Sequence, residues 1–264
     1  ASSGTPYENE LFSYDKKNWG FDAFYRIGKG HRVGGGYDVL DVERERFDFD
    51  RTKDKKWFVE YKNNMLDMVS ARVKYTTLDR KSNFLLANDG TNANDVAYWN
   101  RFLKAYDAAN LDQDSWKITL DIAPAELIDL SFEFTDRNNK YKDMVLGRLK
   151  DDKQELYASL SFGDPATARV TIFGDVEKVK YESRHRVVGS ATAPGAYDPS
   201  VADTATNYNW VGTNRDKNWA FGIAGDVPVT PKLMLKASLM YYKTDGSLDF
   251  ATGSPLSAAT YPQP

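Results

Sequence analysis

Residues 15–27, with the sequence DKKNWGFDAFYRI, decide the fold of this chain. Apolar side chains occupy every second position from Trp19 to Ile27, and mostly polar residues stand between them. Phe24 is the exception, because it is an aromatic residue on the polar side of the alternation. A period of two is the pattern of a β-strand whose two faces meet different surroundings.

The same alternation recurs along the chain and predicts about ten strands, most of them nine to eleven residues long. A tilted strand needs this length to cross a membrane, whereas strands of soluble proteins average five or six residues. The further alternating runs that support the prediction include Trp116–Ile122, Ile128–Phe134, Leu156–Phe162, Ala168–Val176, Trp219–Val227 and Leu233–Tyr241.

The connections between the predicted strands alternate in length, which is the plan of an outer-membrane barrel with short periplasmic turns. Short turns are predicted at 28–30, 63–66, 124–126, 163–165 and 228–231. Long polar loops are predicted at about 47–54, 82–113, 140–152, 184–215 and from 246 onward. The expected fold is all-β, an antiparallel up-and-down transmembrane β-barrel. Residues 1–264 are predicted to form one domain with short turns on one rim and long loops on the other.

A loose hairpin repeat accompanies this plan. Most descending strands open with an aspartate, usually a lysine, and a tryptophan, as in Asp15–Trp19 and Asp216–Trp219. We expect the indole rings near the long-loop rim, at the boundary between acyl chains and headgroups. The predicted interfacial girdle consists of Trp19, Trp57, Trp116 and Trp219. Core tryptophans of a large soluble sheet are the alternative, but the neighbouring charges would then be buried.

Composition removes several other classes of protein. The chain has no Cys, which excludes disulfides, thiolate metal sites, iron–sulfur clusters and covalently attached c-type haem. Its 35 basic and 38 acidic residues nearly balance, so no basic field is present for nucleic acid. The aromatic content of 14% is high for so polar a chain and requires a specific place for these rings.

The hairpin pattern resembles the MtrB/PioB family of outer-membrane barrels. The stretches that carry the resemblance are 13–16 (SYDK), 33–38 (VGGGYD), 101–107 (RFLKAYD), 122–131 (IAPAELIDLS) and the closing pair 136–137 (DR). It covers most of residues 13–250. The resemblance implies a bacterial outer-membrane location and a barrel that ensheathes a periplasmic multihaem cytochrome for extracellular electron transfer. It further implies that haem is carried by this partner rather than by the chain, and that an extracellular cytochrome could dock on the long loops.

Members of that family are longer and have more strands than the ten predicted here. The sequence ends at residues 260–264 inside a predicted long loop, without a closing strand, and begins at Ala1 without a signal peptide. We therefore expect the chain to form part of a larger barrel.

The strand face opposite the lipid is the expected functional surface. Both signs of charge are present there in similar numbers, which suits a water-filled lumen or a lumen packed against a polar partner. Gly34, Gly35 and Gly36 would allow a sharp bend or the close approach of an internal partner. The predicted lumen-facing residues are Asp22, Arg26, Arg32, Asp38, Glu60, Lys62, Arg72, Lys74, Lys117, Asp121, Asp129, Glu133, Arg169, Asp175, Glu177 and Lys236.

Other candidate sites are weaker. His31 at a short turn and His185 at the start of a long loop could ligate a metal or haem iron, but exposed loop histidines are usually unliganded. Oxygen ligands cluster in one predicted loop, at Asp89, Asn92, Asn94 and Asp95, and form a weak calcium candidate without the EF-hand register. No catalytic motif stands out, so we expect no enzyme activity and no metal site.

Three functions are consistent with these patterns. The first is a sheath for a multihaem cytochrome, and the second is a water-filled diffusion porin. The third is a barrel whose external loops bind a ligand or mediate adhesion, for which Tyr98, Trp99 and Phe102 are a modest indication. A soluble enzyme is disfavoured.

Overall fold

The computed structural model describes residues 13–45, 51–82, 109–142, 147–164, 166–188 and 207–252. These residues form a single sheet of ten antiparallel strands in the order of the sequence. The strands are β1 (Tyr14–Gly28), β2 (His31–Arg44), β3 (Arg51–Leu66), β4 (Val69–Ser82), β5 (Asn110–Ala125), β6 (Ile128–Lys142), β7 (Gly147–Asp164), β8 (Ala168–Val188), β9 (Asn207–Thr230) and β10 (Leu233–Thr252). The predicted all-β, up-and-down architecture with ten strands is confirmed. Within the described residues β1 and β10 are the two edges of the sheet.

The strand register gives the sheet two unlike faces. Trp19, Phe21 and Tyr25 of β1 lie opposite Val39, Tyr37 and Val33 of β2, and this alternation continues across the sheet. We call this side the apolar face and the opposite side the polar face. Most side chains of the apolar face stay open, with 51% of Ile172 exposed, whereas Val39 is buried. Uncovered apolar surface of this extent requires a lipid or protein partner.

Each strand is longer than the sequence pattern predicts. The apolar alternation covers only the part next to the short turn, which we call the lower segment, for example Trp19–Gly28 in β1 and Ala168–Val176 in β8. The remainder, for example Glu177–Val188 in β8, is the upper segment. The predicted length of nine to eleven residues is therefore wrong for the whole strands, which have 14 to 24 residues. The error arises because both faces of the upper segments carry mostly polar residues, with apolar residues such as Leu111 and Phe250 only scattered among them.

The upper segments are held together by cross-strand polar contacts. Arg51 binds Asp41 through two nitrogens at 2.8 and 2.5 Å, and Arg80 binds Asp54 at 2.7 and 2.9 Å. Burial and the carboxylate of Asp151 raise the pKa of Tyr141 to about 12, so its hydroxyl stays protonated and donates to that carboxylate at 2.9 Å. Through these pairs, residues of the predicted loops at 47–54 and 140–152, such as Arg51 and Tyr141, form part of the strands.

The hairpin turns begin one to four residues after their predicted starts. β3 and β4 are joined by Asp67 and Met68, and β5 and β6 by Glu126 and Leu127. The turn after β9 begins at Pro231, because residues 228–230 still belong to the strand. Gly30 fits its turn because its φ of 78° is strained for residues with a side chain. All five short connections lie on one rim of the sheet.

The sheet has almost no conventional core. Among the described residues the buried apolar side chains are Val39, Val42, Ala109 and Leu111. A single sheet without a second layer cannot bury its apolar face by itself. The described residues include no helix long and apolar enough to span a membrane.

Candidate functional surface

All sixteen predicted lumen-facing residues lie on the polar face. The register places Arg26 opposite Arg32, and then Arg32 opposite Lys62, so that successive strands contribute to one surface. It likewise places Arg169 opposite Asp226 and Asp226 opposite Lys236. The structure thus brings together the residues that the alternation selected. That this surface lines a lumen stays a prediction.

The overall balance of charge on the polar face hides an uneven distribution. Eight of the sixteen residues are basic and eight are acidic. The β1–β4 group holds five basic residues and three acidic residues, whereas the β5–β10 group holds three basic and five acidic. A sum of charges over the sequence cannot reveal this separation, because it ignores which strand carries each residue.

Glu60 is the buried anion of the basic half. Its side chain is only 4% exposed, and it accepts hydrogen bonds from Arg32 at 3.2 Å and from Arg72 at 2.9 and 2.6 Å. The two arginine side chains remain 42% and 44% exposed on the polar face. Glu60 therefore ties β2, β3 and β4 together while leaving much of the positive charge accessible.

The other half contains mixed ion pairs. Lys117 contacts Glu133 at 2.6 Å. Arg169 contacts Asp129 at 2.8 Å. Lys153 contacts two carboxylates, those of Glu155 and Glu177. These contacts span β5 to β8 and satisfy charges that would be costly next to hydrocarbon.

The three consecutive glycines do not bend β2, which continues through them from His31 to Arg44. A Cβ atom on Gly34 would lie 2.1 Å from Cδ1 of Phe24, and one on Gly36 would lie 2.4 Å from Cε1 of Phe58. The close approach at these two positions is therefore made by the chain's own rings rather than by a second protein. Gly35 lies on the apolar face, where a Cβ atom would meet the Phe58 carbonyl oxygen at 3.1 Å.

The four predicted girdle tryptophans lie on the apolar face at the top of the lower segments. Tyrosines join them: Tyr37 lies 4.2 Å from Trp57, and Tyr75 lies 4.8 Å from Trp116, between ring centroids. Lys217 and Lys243 place their ammonium groups 4.3 and 5.1 Å from the ring of Trp219. The tryptophans are not at the loop rim as expected, because the upper segments continue beyond them. Their interfacial role stays a prediction.

Neither histidine is placed as a metal ligand. His31 begins β2 and shares a hydrogen bond of 2.7 Å with the Tyr61 hydroxyl. His185 lies inside β8 rather than in a loop, which corrects the prediction, and it stacks on Trp210 at 3.9 Å. Burial lowers the pKa of His185, so its ring favours the neutral form.

No group of three potential metal ligands occurs among the residues that the structure describes. The calcium candidate Asp89, Asn92, Asn94 and Asp95 lies outside those residues. Tyr98, Trp99 and Phe102, which favoured an external binding loop, also lie outside them.

Two recesses on the turn-side rim were not predicted from the sequence. One, of about 350 Å³, is lined by Arg26, Lys29, Arg32 and Lys62 together with residues 28, 30, 31 and 64. The other, of about 590 Å³, contains Asp121, Asp129 and Arg169 among small serines of β6 and β7. The basic recess could have been predicted by pairing the two strands that flank the turn at 28–30, because this pairing places Arg26 opposite Arg32.

Comparisons with known proteins agree with this architecture. The family model for outer membrane β-barrel porins of the MtrB/PioB type matches residues 1–263. The outer membrane protein MtrB of Shewanella baltica (strain OS185) is 24% identical over 158 residues, which are 60% of this chain. Among solved structures, the ferric citrate transporter FecA in its unliganded form is similar in fold, with a TM-score of 0.51 and 7% identity.

The chain spans only part of these proteins. The match covers 21% of the Shewanella protein, and the structural similarity covers 91% of this chain but 38% of FecA. The ten described strands therefore correspond to a portion of a larger barrel in that structure.

Proposed function

This chain belongs to the MtrB/PioB family of outer membrane β-barrel porins, and we propose that its barrel ensheathes and positions a periplasmic multihaem c-type cytochrome. It is an integral protein of the outer membrane. In the proposed role, electrons cross the membrane through the haems of the partner. The chain itself has no cysteine to attach such a haem and supplies the surrounding wall.

The observation that carries this proposal is the chemistry of the polar face in the lower segments. Ion pairs such as Lys117–Glu133 and Arg169–Asp129 lie at the same height as the exposed apolar side chains of the other face. Charges at that depth need water or a polar protein rather than hydrocarbon. A folded cytochrome with a polar surface meets this need.

The proposed mechanism is geometric. The apolar face contacts lipid through residues such as Ile172 and Val59, which are 51% and 65% exposed. The polar face contacts the partner and keeps lipid away from it. Electron transfer then depends on the spacing of haems within the partner, which the barrel holds in one position. We expect no enzyme activity from this chain.

The upper segments give the proposal a second surface. They extend β7–β10 beyond the aromatic residues, with charged pairs such as Lys180–Glu182 at 2.9 Å. An extracellular cytochrome could dock on this extension. Its binding would bring an electron acceptor close to the end of the enclosed partner.

A diffusion porin is the second candidate, because the same charged face and its two recesses suit a water-filled lumen. Gentle purification from outer membranes followed by visible absorption spectroscopy separates the two functions. A Soret band that co-migrates with this chain supports the sheath. A colourless protein with steady conductance in a planar bilayer contradicts the sheath and supports the porin.

A further inference from the structure

Four cations lie side by side on the polar face near the short turns. The register pairs Arg26 with Arg32, Arg32 with Lys62, and Lys62 with Arg72, so that β1 to β4 each contribute one positive charge. We call these four residues the basic row. Directly opposite residues on neighbouring strands have Cβ atoms about 5 Å apart, and like charges in such pairs destabilise a sheet.

Only part of this repulsion is offset within the chain. Glu60 neutralises one charge through its contacts with Arg32 and Arg72. Among the described residues, neither Arg26 nor Lys62 forms an ion pair, and Nε of Arg32 is buried without a hydrogen-bond partner. The row therefore retains unneutralised positive charge.

The recess next to the row has the same character. Its volume of about 350 Å³ is bounded by Arg26, Lys29, Arg32 and Lys62, and no carboxylate of the described residues lines it. The recess at the turn end of β4–β8 is different, since Asp121 and Asp129 line it with Arg169. Positive charge is thus concentrated at one place on the turn-side rim.

We propose that the basic row and its recess bind a carboxylate-rich surface of the protein held inside the barrel. This inference rests on the proposed function, because it assumes a protein on the polar face. Carboxylates fit the site because guanidinium groups bind them with two hydrogen bonds, and several cations in line suit a surface with several acidic side chains. The acidic excess on β5–β10 would face basic side chains of the same partner, and the two contacts together fix one orientation.

The first test uses a fluorescent oligoglutamate peptide as the probe and the purified full chain in detergent at low ionic strength. The double variant Arg26→Glu/Lys62→Glu changes two unpaired cations and leaves the Glu60 contacts in place. The neutral variant Arg26→Gln/Lys62→Gln repeats the test with less perturbation of folding. Lys232→Glu is the control, because Lys232 is an exposed cation in the turn between β9 and β10, outside the sixteen polar-face residues, and forms no ion pair with the described residues.

We expect the double variant Arg26→Glu/Lys62→Glu, which reverses both charges, to weaken peptide binding about tenfold or more. The neutral variant should weaken it less. Lys232→Glu should change the affinity by less than about twofold. Binding by the unmodified chain should fall steeply with added salt, since these charges are accessible to ions. Absence of peptide binding, or equal weakening by the control, would overturn the inference. Displacement of the peptide by inorganic pyrophosphate at equal charge would also overturn it, as the site would then be one for small anions.

A second measurement separates this inference from the proposed function. The haem absorbance that co-purifies with the unmodified chain is compared with that of the double variant. Haem retained by the unmodified chain and reduced in the double variant supports both proposals. Haem retained equally by both proteins contradicts the basic row and leaves the sheath intact. Peptide binding without any co-purifying haem supports the acidic ligand and contradicts the cytochrome.

Discussion

The lower and upper segments of the same strands show how one secondary structure serves two surroundings. In β8, Val170, Ile172 and Val176 face one way in the lower segment, whereas Lys178 and Lys180 continue that face in the upper segment. The pairing of β8 with β9 keeps one register through both parts, and its pairing with β7 shifts only between Arg148 and Lys150. This difference shows that hydrophobic alternation indicates which medium lies next to a strand and does not indicate how long the strand is.

The largest expected effect comes from placing a charge on the apolar face of a lower segment. Ile172→Arg should lower the free energy of unfolding in lipid or detergent by about 2–4 kcal/mol, because the guanidinium would face hydrocarbon. Gln154→Arg is the upper-segment control on the same face and should be nearly neutral, since Asp136 lies 2.9 Å from Gln154. Urea unfolding of both variants measures the difference. Equal losses would show that the two segments share one environment.

Removal of the buried carboxylate should have the next largest effect. Glu60→Gln leaves Arg32 and Arg72 without their shared anion. We expect the free energy of unfolding to fall by about 2 kcal/mol. This is less than the usual cost of a buried unpaired charge, because both arginines are half-exposed. The upper-segment control is Asp54→Asn, which removes one partner of Arg80 and should cost about 1 kcal/mol, because Asp54 is more exposed than Glu60. The same unfolding measurement ranks them. A larger loss of unfolding free energy from Asp54→Asn than from Glu60→Gln would contradict the view that Glu60 is the more important carboxylate for stability.

A smaller effect is expected where an aromatic ring fills the space above a glycine. Gly34→Ala forces the ring of Phe24 to move, because the new Cβ would lie 2.1 Å from Cδ1, and we expect a loss of about 1–2 kcal/mol. The double change Phe24→Ala/Gly34→Ala should recover part of this loss. Gly246→Ala is the upper-segment control, since its Cβ meets only the flexible end of Asp216 at 2.8 Å. A double-mutant cycle without coupling would contradict the packing described.

The smallest expected effect is a pH dependence confined to an upper segment. Burial lowers the pKa of His185, so the folded hairpin binds a proton less readily than the unfolded chain. The contribution of neutral His185 to the free energy of unfolding is therefore complete above a pH of about 6.5. It declines as the pH falls toward the lowered pKa. Fluorescence of Trp210, taken as the difference from a Trp210→Phe variant, should titrate below that pH. A midpoint above it would contradict the burial, and His185→Asn should abolish the transition.

The lower segments were well predicted from the sequence and the upper segments poorly, for a physical reason. Alternation from Trp19 to Ile27 identifies one strand and its two faces, and the same rule placed all sixteen charged residues on one face. In an upper segment both faces carry mostly polar residues, so residues such as Asp54, inside the predicted loop at 47–54, give no periodic signal. Their strand structure comes from cross-strand pairs that only the register reveals.

The candidate surface was predicted residue by residue but not as an arrangement. Arg26 and Lys62 are far apart in sequence, and only the pairing through Arg32 makes them neighbours. The sequence likewise did not show that the ring of Phe24 occupies the space above Gly34, although Phe24 stands out as an aromatic residue on the polar face. Signs of charge can be counted from sequence, whereas their grouping depends on which strands pair.

The central claim is that the polar face surrounds a haem protein while the apolar face meets lipid. Thr119 and Ile118 are adjacent residues of β5 on opposite faces, so a photoreactive amino acid at each position reports on one face at the same height. After irradiation of native outer membranes, we expect a cross-linked band that stains for covalent haem from position 119 and none from position 118. A haem-stained band from position 118 alone, or from neither position, would contradict the account.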